Sequence, residues 1–106
     1  MIECCVLQTD KTMEKETEIK ARVLDRLIEH FDNHKEVQNI DLMILAKFCR
    51  NCLSKWTVKE GQELGVDVDI DAARRMIYKM DYAEWKEKHQ QAATQEQLDQ
   101  FNQLNK

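Results

Sequence analysis

The sequence predicts an all-α fold: a small single-domain bundle of about four helices around a central buried helix at residues 40–61. Three observations carry that expectation. The chain has no Pro and only two Gly, and it is rich in Glu, Lys, Gln, Leu and Ala, all good helix formers. Residues 39–60, NIDLMILAKFCRNCLSKWTVKE, are the longest apolar stretch without Gly or Pro, apart from their charged end. Within it Leu42, Leu45, Cys49, Cys52 and Trp56 recur at steps of three and four, which is one face of an α-helix. Ile44 and Phe48 make a second row, with Met43, Ala46 and Leu53 beside the two. The first half of this helix is therefore apolar nearly all round and is expected among neighbours on several sides.

The flanking elements follow in order. Residues 1–12 lack a helical period and are expected to be a disordered leader. Cys4 and Cys5 are adjacent and point apart in an extended chain, so no joint role is assigned to them. The helical domain is expected over 13–90. Its first helix, about 14–32, carries Ile19, Val23, Leu24, Leu27, Ile28 and Phe31 as one stripe. Glu14, Glu16 and Glu18 suit the positive end of its dipole, and His30 and His34 suit the other end. DNHKEVQ is the turn, and Asn39 or Asp41 caps the central helix. Gly61 and Gly65 are C-cap candidates at its end.

Asp69 or Asp71 then caps a helix with apolar positions Ile70, Ala73, Met76, Ile77 and Met80. Asp81 and Glu84 have capping-box spacing and open the next helix, in which Tyr82 and Trp85 share a face. Residues 91–106 are a Gln-rich tail or a short helix. In the latter case Thr94 and Gln97 cap it and Leu98, Phe101 and Leu104 are its apolar set.

Bulk properties exclude several functions. The 106 residues suffice for one small domain. Net charge is −4, and each half carries eight basic and ten acidic side chains, so no concentrated basic surface is available for nucleic acid or anionic membrane. No apolar run approaches the roughly 20 residues of a membrane span. The N-terminal run lacks the basic start of a signal peptide, so a cytoplasmic location with reduced thiols is expected.

QNIDLM, the FCRNCLSKW that follows, and the later AARRMIYKM and YAEWKEKHQ resemble one family of short, mostly bacterial, all-helical proteins of unknown function. The resemblance spans about residues 19–90 and implies the fold and the importance of the central block, but no reaction. The family pattern carries an aromatic after the Trp and a Pro before the Tyr of the last helix. Here Thr57 and Asp81 stand there; Asp81 keeps a helix-start residue, whereas Thr57 removes a stacking surface.

The chemistry-bearing residues are few. Cys49 and Cys52 form a C-x-x-C, the pattern of a redox pair or half a zinc site. A redox Cys sits at a helix N-terminus, whereas this pair falls deep within the expected helix. His30 and His34 are candidate partners. If the first two helices are antiparallel, Cys49 lies about nine residues, some 13 Å, beyond the end that meets them. Two small buried side chains allowing close helix approach are the plainer reading.

Asp67, Asp69 and Asp71 imitate the start of a calcium loop, but Ala72 and Tyr78 replace the Gly and Glu it needs. Arg74, Arg75 and Lys79 make only a small basic patch. Arg50, Asn51 and Ser54, with His30, are the candidate ligand-binding residues, a polar cluster at the core's edge. No catalytic residues are assigned and no cofactor is expected, zinc on Cys49 and Cys52 being the alternative. The leading functional expectation is a non-enzymatic module that forms a homodimer, because three short neighbours do not cover so apolar a central helix; a thiol redox or zinc-binding protein using Cys49 and Cys52 is the alternative, and a small enzyme with a site around Arg50, Asn51 and His30 ranks third.

Overall fold

The computed structural model describes residues 2–104, with side chains from residue 14 onward. Among these residues there are six helices and no strand, in keeping with the all-α expectation. They are α1 (Ile2–Asn33), α2 (Asn39–Ala46), α3 (Arg50–Glu63), α4 (Ile70–Tyr78), α5 (Tyr82–Lys88) and α6 (Gln95–Leu104). The chain divides into two compact units, residues 1–30 and 31–106. The expected leader, 1–12, with Cys4 and Cys5, lies outside the residues whose side chains are described. No described helix is long and apolar enough to cross a membrane.

In the first unit, α1 is amphipathic as the spacing predicts, but the start of its stripe stands in solvent: Ile19 and Val23 are each 60% exposed. Ion pairs at i,i+4 spacing, Glu16–Lys20 and Glu18–Arg22, line its exposed surface.

In the second unit the central helix expected at 40–61 is two helices, α2 and α3, separated at Lys47–Cys49. Lys47 closes α2 in the left-handed region, at φ 63°, and its N–H donates to the Met43 carbonyl at 3.0 Å. Cys49 is then extended and starts α3. Neither Gly nor Pro marks this break. It turns Arg50 inward, to 1% exposure, and leaves Leu45 84% and Trp56 53% exposed, so the expected single face of 42, 45, 49, 52 and 56 does not exist. The centre of the unit is the start of α3, with Arg50, Leu53 and Ser54 buried, whereas α2 buries no residue.

The remaining boundaries follow local chemistry. α3 ends in a Schellman motif: Val66 N–H reaches the Gly61 carbonyl at 2.8 Å and Gly65 N–H the Gln62 carbonyl at 3.1 Å, with Gly65 at φ 78°. Gly61, inside α3, serves a different purpose: a Cβ there would lie 2.7 Å from Val68 Cγ2, so only Gly lets the following loop close down. Asp69 and Asp81 occupy the N-cap positions of α4 and α5, but neither closes a side-chain cap bond. The expected Asp81–Glu84 box is therefore not formed; Glu84 instead pairs with Lys88 at 2.8 Å.

The Thr94–Gln97 box is formed. Gln97 N–H donates to Thr94 Oγ1 at 3.1 Å and Thr94 N–H to Gln97 Oε1 at 2.8 Å. Gln97 Nε2 also donates to Asp41 at 2.7 Å, which ties α6 to α2. Ala73, Ile77 and Tyr78 bury the inner face of α4, whose main neighbour is α3. Met76, expected in that face, is 44% exposed.

Left-handed backbone is unfavourable for any residue with a Cβ. Lys47→Gly should therefore stabilise the protein by about 0.5–1 kcal/mol, net of the entropy Gly adds to the unfolded chain. Chemical denaturation would read this as a higher midpoint at unchanged slope.

Candidate functional site

The start of α3 gathers the polar side chains of FCRNCLSKW around one buried charge. Arg50 Nη1 donates to the Val37 carbonyl at 2.7 Å and to Asn39 Oδ1 at 3.1 Å, and Nη2 donates to the His34 carbonyl at 3.0 Å. The guanidinium carbon lies 4.9 Å from the Phe31 ring centroid and 5.1 Å from that of Trp85. Its hydrogen-bond acceptors are all neutral oxygens, and the two ring faces lie against it. Burial lowers its pKa, opposed by Tyr78, Cys49 and Glu36. So high a starting value keeps it charged.

The same network extends outward. Asn39 Nδ2 donates to the Tyr78 hydroxyl at 3.0 Å, and Tyr78 meets Trp85 edge-on at a centroid distance of 5.1 Å. Gln38, itself buried, donates to the Glu36 and His89 carbonyls at 3.1 and 3.0 Å and accepts from Gln91 N–H at 2.8 Å. The turn before α2 is thereby fastened to the end of α5.

Of the four candidate ligand-binding residues, three lie together. Ser54 is fully buried and donates to the Arg50 carbonyl at 3.0 Å, the usual i−4 bond of a helical Ser. Asn51 donates to the Tyr82 hydroxyl at 3.3 Å, while its Oδ1 is buried with no partner. Arg50 and Ser54 are closed to solvent, and a ligand reaching the guanidinium would have to displace Phe31 or Trp85. His30 is an exposed residue of the first unit. Asp67, Asp69 and Asp71 lie exposed at the start of α4, with Asp71 3.9 Å from Arg74.

The thiols are where the structure departs most from the sequence-based expectation. Cys49 is not deep within a helix but is the N-cap of α3, and its sulfur lies 3.8 Å from that of Cys52. Burial pushes the Cys49 thiol up from its ordinary pKa. The N–H groups of Cys52 and Asn51 act against this, without closing a cap hydrogen bond. A third sulfur, Met43 Sδ, lies 3.9 Å from Cys52 Sγ. Sequence reasoning missed this neighbour for a definite reason. In an unbroken helix, Met43 and Cys52, nine residues apart, are on opposite sides and roughly 13 Å apart along the axis. Among the described residues no three His, Cys, Asp or Glu side chains gather as a metal site.

Two predictions follow from the polar core. Lys cannot reproduce the planar fork of Arg50, so Arg50→Lys strands buried carbonyls and should cost about 2–4 kcal/mol in urea denaturation. Tyr78 is buried, and burial raises its pKa well above the ordinary 10.0. The folded state then holds a proton that the unfolded state releases above that value, so stability is full below pH 10.0 and falls as pH rises beyond it. Melting temperatures taken across that range should decline in the native protein and decline less steeply in Tyr78→Phe.

Comparison with curated proteins gives no match. A family model described as "Protein of unknown function (DUF1244)" matches residues 37–103, which holds the Arg50 network except Phe31, His34 and Glu36. The match covers more than half of the chain, and the protein therefore belongs to this family of unknown function.

Proposed function

We propose that the protein is a non-enzymatic interaction module that assembles as a homodimer through α2. One observation carries this reading. α2, NIDLMILA, is the most apolar of the described helices, yet it packs on α6 with Ile40, Leu42, Met43 and Ile44 only half-buried, and Leu45 is 84% exposed. Apolar surface left in water favours association, and a two-fold contact between identical patches is the commonest arrangement. The stacked pair Phe48 and Trp56, with ring centroids 6.2 Å apart, adds aromatic surface soon after α2 in the chain. The polar core, by contrast, is spent on holding the fold.

A second reading, that Cys49 and Cys52 form a working thiol pair, is favoured by the position of Cys49 at the head of α3 and the 3.8 Å between the sulfurs.

Sedimentation equilibrium tests the first reading. The native chain should sediment as a dimer at micromolar concentration. Leu45→Glu, at a position already in solvent, should give a monomer with unchanged helical circular dichroism, whose melting temperature no longer depends on protein concentration. Ile19→Glu with Val23→Glu, on α1, should leave the dimer intact. A native monomer, or a dimer indifferent to Leu45→Glu, would sink the proposal.

A further inference from the structure

We infer that Cys49, Cys52 and Met43 form a binding site for a soft monovalent metal ion, copper(I), held by two thiolates and one thioether. The inference rests on the second reading above and names the ligand that the thiol pair would take.

Geometry is the first warrant. The sulfur of Cys52 is 3.8 Å from that of Cys49 and 3.9 Å from that of Met43. Two sulfurs 3.8–3.9 Å apart can each stand about 2.3 Å from one ion, the length of a zinc–thiolate bond, at a sulfur–metal–sulfur angle of about 110–115°. Cys52 can therefore share an ion with Cys49 or with Met43, and rotation of the flexible Met43 side chain would bring its sulfur to an ion held by the thiol pair. Cys52 and Met43 are only half buried, so solvent reaches the site from their side while Cys49 closes it from within.

The donor set decides which metal. Thiolate and thioether ligands are soft and select copper(I). Structural zinc completes four ligands from Cys, His, Asp and Glu, and among the described residues no three of these gather. Magnesium and calcium need six or more oxygen donors, commonly from several carboxylates, and among the described residues no cluster of carboxylates gathers. Charge balance agrees. Binding one monovalent ion sends the two thiol protons to solvent and leaves one net negative charge on the cluster. That charge faces the Asn51 and Cys52 N–H groups at the positive end of α3. The site exists only because the chain breaks between α2 and α3, which brings Met43 round to the thiols.

The test uses the full chain carrying Cys4→Ser and Cys5→Ser, so that only the proposed thiols compete, kept anaerobic with dithionite. Copper(I) is titrated against bicinchoninate, a coloured copper(I) chelator. The protein should withdraw one ion per chain. Either Cys49→Ser or Cys52→Ser should abolish the withdrawal. Met43→Leu, which conserves volume, should keep the helical circular dichroism and weaken binding roughly tenfold or more. X-ray absorption at the copper edge should count three sulfur neighbours in the parent and two in Met43→Leu.

Equal affinity in Met43→Leu overturns the three-sulfur site and leaves the thiol pair standing. No withdrawal by the parent, while both thiols still react with a thiol reagent in the native state, overturns the metal site alone. No withdrawal with both thiols inert until unfolding overturns the second reading as well.

Discussion

The fold of residues 31–106 depends on one buried guanidinium. Arg50 is 1% exposed and carries its charge into a core whose other large members are Trp85, Ile77 and Tyr78. Taking an ion out of water is costly, and among the described residues no carboxylate forms an ion pair with Arg50, Glu36 acting on it only at longer range. The compensation comes from geometry. Two main-chain carbonyls and an amide oxygen receive the planar fork, and two aromatic rings lie against it. Each acceptor lies in the short turn before α2 or at its first residue. The arginine thus plays the part that a hydrophobic plug plays in a simpler bundle, and it also satisfies backbone oxygens that a plug would leave bare.

This explains which parts of the architecture were legible in the sequence. The end of α1, the starts of α4 and α5, the Schellman turn at Gly65 and the Thr94–Gln97 box follow from spacing, caps and glycine. Each is a matter of a few neighbouring residues. The break at Lys47–Cys49 was not legible. Its left-handed residue is a lysine, and what stabilises it lies far away in sequence, in the carbonyls of His34 and Val37 and the rings of Phe31 and Trp85. Periodicity alone runs straight through such a break.

The candidate site was legible in its address and misread in its chemistry. Arg50, Asn51 and Ser54 do lie together, as their concentration within FCRNCLSKW suggests. A charged residue is exposed by default, however, so a surface cluster was the natural expectation. Burial instead turns Arg50 and Ser54 into structural members. The thiol pair is displaced the other way. One continuous helix would have made it an inert part of the core; two helices put Cys49 at a terminus with Cys52 beside it, and Met43 beside Cys52. Both changes come from the same three-residue break.

The Gln38 fastening has a consequence for the order in which the protein assembles. Gln38 joins His89 and Gln91, more than fifty residues later, and Trp85 supplies one wall around Arg50. While the chain is being synthesised, the arginine has no reason to leave water until that late segment has emerged. Local helices are free to form early, but the step that removes Arg50 from solvent waits for residues 85–91. Until that segment is free of the ribosome, the nascent protein keeps a charged, hydrated centre where the finished one has its core.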